Sequence, residues 1–252
     1  VFYDYLVNPL QLRRAAPAAQ KVCLGSHRDG RILSQAEINK HVICAAHKGQ
    51  QVVRLKGGDP SIFGRLSEEI AALEDAGVSY EIIPGITAAL AASSHAGIPL
   101  THRQRASCVA FVTGQECRDK EGAELDFSKL SAFPGTLVFY MGVTTAPVWA
   151  VELMAHGKPA KTPVVIVRHC SLPAQRTVRT TLGQLPEVLS PGKLRPPAIV
   201  IVGDVAEESS SHTWFTSRPL FGSRALVTRA AHQSGTICLL YTSDAADEGL
   251  GV

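Results

Sequence analysis

The 252-residue sequence has no C-x-x-C pair. Its six cysteines (Cys23, Cys44, Cys108, Cys117, Cys170, Cys238) are scattered, which excludes a dense disulfide scaffold and reads as reduced core thiols of a cytoplasmic protein. No apolar run approaches the roughly 18–20 residues a membrane helix needs. The nine histidines show neither an H-E-x-x-H motif nor Cys/His ligand spacing, so no metal centre is expected. An excess of one charge is lacking too: 25 basic against 22 acidic residues leave +3, too little to imply a nucleic-acid partner. There is no initiator Met; the chain opens on Val1 inside an apolar stretch, and the start reads as other than a natural one. What is present is the composition of a globular protein, 45% hydrophobic and 19% charged, with enough chain for one large domain or two small ones.

The periodicity alternates strands and helices. Ser34–Glu37 (SQAE) matches the S-x-x-E capping box, and Ile38, Val42 and Ala45 follow at helical spacing, so a helix is expected over 35–48 with Gly49 as its stop. Gln51–Lys56 reads as a buried strand broken by Gly57–Pro60. Leu66–Ala76 reads as an amphipathic helix, Tyr80–Ile83 as a strand, and Thr87–Ala96 as a buried helix of small residues. The second half repeats the rhythm: strands at Cys108–Thr113, Thr136–Met141, Pro163–Arg168 and Ala198–Val202, an edge strand at Thr177–Leu182, and helices at Thr144–His156 and Gly183–Leu189. This order predicts α/β layers with right-handed crossovers, ligands beyond the C-terminal strand ends, and a boundary between two lobes in the 114–128 region. The Ser-rich stretch Val205–Gly222 reads as a linker.

Three loops stand out. Val52–Arg65 (VVRLKGGDPSIFGR) places Gly57, Gly58 and Asp59 after a strand. Two glycines would let a ligand approach the backbone, or the segment is a plain strand-to-helix turn with Asp59 as an N-cap. Glu81–Ala89 (EIIPGITAA) stops a strand at Pro84-Gly85 and opens a helix at Thr87; close helix packing and close approach of a flat ligand both suit its small residues. Gly97–Arg103 (GIPLTHR), with Arg105 nearby, is either an exposed basic turn or a patch for carboxylates or phosphates.

Together these loops resemble the tetrapyrrole methylase family, and within it the uroporphyrinogen-III C-methyltransferase branch. The resemblance runs from Val1 to about Phe215 and rests on YD-x-LV at Tyr3–Val7, QAEIN at Gln35–Asn39, VVRLKGGDP at Val52–Pro60, PGITAA at Pro84–Ala89, GIPLTHR at Gly97–Arg103 and LVFYMG at Leu137–Gly142. It implies two α/β lobes, residues 1–114 and 115–215, with the cofactor in the cleft between them. It further implies S-adenosylmethionine as cofactor, uroporphyrinogen III as substrate and precorrin-2 as product. A homodimer is expected, with no nucleic-acid or membrane partner. The cofactor contacts map onto Gly57, Gly58, Asp59, Ile62, Thr87, Ala88 and Met141, with a backbone contact at Cys170, and the proton-accepting aspartate maps onto Asp4. Arg103, Arg105 and Lys56 are read as counter-charges for a substrate bearing eight carboxylates; Arg65 joins them or is a solvated surface charge, an alternative equally open for Lys56.

Two departures qualify the resemblance. Ser26 stands where the family has a lysine assigned as proton donor, and a hydroxyl cannot replace an ammonium; His27 is next door. The family's opening strand and G-x-G-P-G-D-P loop are not seen before Tyr3, so Val1 reads as the start of a fragment. Arg224–Gly235 begins like a uroporphyrinogen-III synthase, within a stretch 216–235 read as linker and synthase start. Cys238–Glu248 looks like translated adapter sequence, and residues 236–252 are read as an artefactual tail. The competing readings are another precorrin methyltransferase, a cofactor-binding but inactive fragment, and a structural α/β module.

Overall fold

The computed structural model describes residues 1–26, 31–116, 125–190, 193–207 and 213–223. His27, the synthase-like segment from Arg224 and the adapter-like tail lie outside the described residues. The described residues divide into two compact units, the first ending at Thr87 and the second beginning at Ala88.

In chain order the first unit holds β1 (Phe2–Tyr3), α1 (Pro9–Leu12), β2 (Val22–Cys23), β3 (Gly25–Ser26), β4 (Arg31–Ile32), α2 (Gln35–His47), β5 (Arg54–Leu55) and α3 (Leu66–Asp75). β1 is the central strand of a parallel sheet, with Phe2 opposite both Val22 of β2 and Arg54 of β5. β3 and β4 form a separate antiparallel pair that places Ser26 opposite Arg31. The capping box forms as expected: Glu37 N–H donates to Ser34 Oγ at 3.3 Å, and Ser34 N–H donates to Glu37 Oε2 at 2.8 Å.

Two strand expectations are corrected here. The ladder of Gln51–Lys56 is confined to Arg54–Leu55, and Tyr80–Ile83 forms no strand. A strand persists only where its backbone donors and acceptors find a neighbour. Among the described residues β5 is an edge of its sheet, the Tyr80–Ile83 run pairs with neither edge, and Ile82 and Ile83 stand exposed.

The second unit holds α4 (Ala88–Ala96), β6 (Val109–Thr113), α5 (Phe127–Ser131), β7 (Thr136–Tyr140), α6 (Ala146–Ala155), β8 (Pro163–Arg168), β9 (Arg176–Thr181), α7 (Leu185–Val188) and β10 (Ala198–Val202). Its five strands run in the order β6-β7-β10-β8-β9. Only β6 and β7 are parallel; β10 is antiparallel to β7 and β8, and β8 to β9. The layers are therefore α/β as expected, but in this sheet the parallel crossover is confined to β6–α5–β7. The residues between β8 and β9 form a tight return, which suits an antiparallel pair. β7, β8 and β10 read as near-continuous apolar runs because they are buried on both faces. Leu137, Phe139, Trp149, Leu153, Ile166 and Val200 centre the core, with Phe139 stacked on Trp149 at 3.9 Å.

The division at Thr87/Ala88 lies upstream of the 114/115 boundary expected from the sequence. α4 packs on β10, and Gln175 Nε2 donates to His95 O at 3.2 Å, so α4 belongs with the second sheet. The described part of the stretch read as a linker is also packed. Val205, Ala206 and Phe215 are buried, His95 meets Phe215 edge-on at 4.8 Å, and Trp214 Nε1 donates to Ser94 O at 2.9 Å. Its serines suggest a tether, but Val205, Ala206 and Phe215 give it apolar surface to bury.

Candidate functional site

In the first unit the parallel sheet delivers Asp4 at the C-terminal end of β1, where its N–H donates to Leu55 O at 3.3 Å. The neighbouring strand supplies Arg54, whose Nη2 donates to Asp4 Oδ1 at 2.6 Å while its Nε donates to Glu69 Oε1 at 3.1 Å. Glu69, on the first turn of α3, is buried and also accepts from Lys56 Nζ at 2.8 Å and Gln35 Nε2 at 3.2 Å. One carboxylate thus gathers β5, α2 and α3 behind Asp4. Asp4 itself keeps 32% of its side chain exposed, enough to meet a ligand with the oxygen Arg54 leaves free.

Lys56 departs from its expected role. Its side chain is 7% exposed and its ammonium is paired with Glu69, because two buried charges must be matched to each other. It is not presented as a counter-charge for a substrate. Arg65 is engaged locally as well: its Nε and Nη2 donate to the two carboxylate oxygens of Glu68, both at 2.7 Å.

The glycine loop has its own organiser. Asp59 Oδ1 accepts from Ser61 N–H and Oδ2 from Gly85 N–H, each at 2.8 Å. The Gly85 bond, then the Ser61 bond, holds the Asp59 carboxyl below the usual carboxylate range. Asp59 therefore cross-links the GGD loop to the PGIT loop. A Cβ on Gly85 would stand 2.1 Å from Gly58 O, so only glycine allows this approach. Gly57 and Gly58 leave exposed backbone on the same loop, and Ile62 sits half-buried beyond it, its N–H donating to Asp59 O at 3.3 Å. Phe63 (φ 52°) and Arg65 (φ 54°) both adopt the left-handed region, so backbone strain is concentrated between this loop and α3. Thr87, buried, ends the unit.

In the second unit the remaining expected residues lie at strand ends or in the turn after α4. Ala88 opens α4, and the next N–H, that of Ala89, donates to Tyr140 Oη at 3.0 Å. That bond satisfies one of the orphan donors of the helix and ties it to the C-terminal end of β7. Met141 follows at once, half-exposed and with φ 52°. Cys170 follows β8 between two left-handed residues, His169 (φ 48°) and Ser171 (φ 66°). Burial pushes the Cys170 thiol up to about 12. Arg105 pairs with Glu207 at 2.9 Å, whereas Arg103 is exposed. The structure thus brings Asp4 together with its Arg54–Glu69–Lys56 support, joins Gly57–Ile62 to Gly85, and joins Ala88 to Met141 through Tyr140.

Sequence reasoning missed Arg54, Glu69 and Tyr140. A signal existed for the first: Arg54 interrupts an apolar strand, and a charge there demands a buried partner. Glu69 carried none, since an acid in the first turn of a helix reads as a solvated dipole partner. Among the described residues no group of three His, Cys, Asp or Glu could hold a metal ion, and no helix is long and apolar enough to cross a membrane.

Residues 3–186 match the family model of tetrapyrrole (corrin/porphyrin) methylases. A siroheme synthase of Zymomonas mobilis is 43% identical over 218 residues, covering 86% of this chain and 45% of the relative. A uroporphyrinogen-III C-methyltransferase of Bacillus subtilis is 39% identical over 227 residues, covering 90% and 47%. The chain spans about half the length of the curated relatives it matches. Among solved structures, a uroporphyrin-III C-methyl transferase from Thermus thermophilus, complexed with S-adenyl homocysteine, is 36% identical with a TM-score of 0.67, covering 82% of this chain and 85% of that one.

Proposed function

Since the chain belongs to the tetrapyrrole methylases, we propose that it transfers methyl groups from S-adenosylmethionine to two ring carbons of uroporphyrinogen III, giving precorrin-2. The observation that carries this reading is Asp4, a partly exposed carboxylate held at a strand end by a guanidinium 2.6 Å away. C-methylation needs the methyl group aligned with the ring carbon, a base within reach of the proton the macrocycle then sheds, and little else from the protein.

The residues present fit the cofactor. Gly57 and Gly58 expose backbone that a flat ligand can approach, and the missing Cβ of Gly85 lets the neighbouring loop close on it. When bound, the cofactor supplies a methyl group already activated on a sulfonium. Cys170, held as the neutral thiol, does not compete for that methyl as a nucleophile. Ala88, which precedes the Ala89 N–H bonded to Tyr140 Oη, and the half-exposed Met141 that follows Tyr140 would offer backbone and apolar surface to the cofactor. Each methyl transfer forms a C–C bond at a pyrrole carbon that already bears an acid side chain and so has no hydrogen to lose. Neutrality is restored by one proton leaving elsewhere on the macrocycle, a pyrrole N–H or a bridging carbon, and Asp4 Oδ2 accepts it. Arg54 stays on Oδ1, fixing the rotamer of Asp4 and leaving Oδ2 for the proton. Arg103 and Arg105 meet substrate carboxylates, Arg105 by exchanging its exposed Glu207 partner. The same reading takes the protein as a cytoplasmic homodimer, which sedimentation of the purified protein checks.

The test is transfer of labelled methyl to uroporphyrinogen III by the purified protein. Asp4→Asn should lower kcat by about a hundredfold or more and leave the affinity for S-adenosylhomocysteine nearly unchanged. Equal loss of both removes Asp4 from the base role. Methylation of a different precorrin, with none on uroporphyrinogen III, overturns the substrate assignment.

A further inference from the structure

At the β8–β9 edge of the second unit lies a cationic cavity that no step above uses. The strand register sets Arg168, the last residue of β8, directly opposite Arg176, the first of β9. Like charges opposed across an antiparallel pair destabilise a sheet instead of supporting it. A third guanidinium comes from Arg195, whose backbone oxygen accepts from Arg168 Nε at 2.7 Å and so holds Arg168 at the site. Lys193 adds an ammonium, paired at 3.1 Å with the exposed Glu187. These four cations line a cavity of about 330 Å³ together with the aliphatic Val178 and Val188. No acidic side chain lines it, and neither Arg176 nor Arg195 has an ion pair among the described residues.

Arg176, Lys193 and Arg195 are exposed and Arg168 is half-buried. Register fixes the backbones of Arg168 and Arg176, and the Arg195 carbonyl holds the Arg168 side chain, so the four charges stay close together. Arg176 and Val178 fall on one face of β9, two residues apart, so the charges rise beside an apolar wall. Anionic groups placed between the guanidiniums convert the repulsion into charge-assisted, bidentate hydrogen bonds. The wall adds a preference for a ligand with an apolar body. We infer that this cavity binds a small polyanion, two or more carboxylates or phosphates carried on an apolar frame.

The test uses the full chain and two probes, titrated by calorimetry at fixed ionic strength: trimesate, a benzene ring with three carboxylates, and inorganic pyrophosphate. At least one should bind saturably with one site per chain, and the double variant Arg176→Gln, Arg195→Gln should weaken it about tenfold or more. Tighter trimesate assigns a carboxylate ligand, and tighter pyrophosphate a phosphate one. Binding that is unchanged in the double variant, absent for both probes, or reproduced by sodium chloride at matched ionic strength overturns the inference. S-adenosylhomocysteine affinity and melting temperature, followed in parallel, separate loss of this site from loss of the fold; the single variant Arg176→Gln repeats the measurement should the double variant fail to fold.

Discussion

At the residue scale, Asp59 and Cys170 show how far a side chain's role depends on neighbours that sequence does not print. G-G-D-P marked Asp59, but its work is to accept two backbone N–H groups from separate loops. Its lowered pKa contributes stability that is present above the ordinary carboxylate range and lost as pH falls through the folded value. Asp59→Ala should therefore weaken S-adenosylhomocysteine binding several-fold in calorimetry and flatten the loss of melting temperature at acid pH. Cys170 works in the opposite direction. An unfolded thiol titrates near 9.0 and the folded one near 12, so its contribution is complete below pH 9 and is lost as pH rises toward 12. At pH 8, iodoacetamide should modify the exposed Cys23 and Cys44 on the native protein and leave Cys170 unmodified, as read by peptide mass spectrometry. Fast modification of Cys170 at that pH contradicts its burial. The position of Cys170 was legible from the family resemblance; its protonation state was not, because desolvation is set by packing from distant parts of the chain.

At the element scale, α2, α3, β8 and β10 were legible almost to the residue, because capping boxes, stop glycines and apolar runs are local signals. The missing strand at Tyr80–Ile83 and the mixed direction of the second sheet were not, since strand pairing is decided by neighbours far away in sequence. The same holds for the ties between elements. Glu69 joins α3 to β5 and α2 through two buried cations and an amide. Glu69→Gln leaves Arg54 and Lys56 facing a neutral group, and should destabilise the protein by about 3–5 kcal/mol in denaturant unfolding, the cost of an uncompensated buried charge. A loss below about 1 kcal/mol would place that network with weak surface pairs instead. Gly85→Ala should cost about 1–3 kcal/mol as an overpacked contact, since a methyl cannot share space with Gly58 O.

At the scale of the whole molecule, the two units are unequally built. The second has a continuous core: Leu137, Phe139, Ala146, Leu153, Leu182, Leu185 and Val200 are all fully buried. In the first, Val7, Leu24, Ile38 and Ala45 are the buried apolar residues among those described, and its parallel sheet is three strands of two residues each. Composition could not show this, because the apolar residues are spread along the whole chain, whereas burial concentrates in one unit. Small cores and short ladders open at low free energy, while strands covered on both faces open only with global unfolding. Native-state hydrogen exchange should therefore split into two classes. Amides of β7, β8 and β10 should exchange slowest and share one opening free energy, and those of β1, β2 and β5 should exchange faster by at least about tenfold, a gap of about 1.4 kcal/mol. Bound S-adenosylhomocysteine should slow the first unit most, because the Gly57–Asp59 loop and Asp4 lie there and a ligand stabilises whatever opening would release it. Equal protection of the two sheets in the free protein would mean that the first unit draws its stability from elsewhere than its own sparse core.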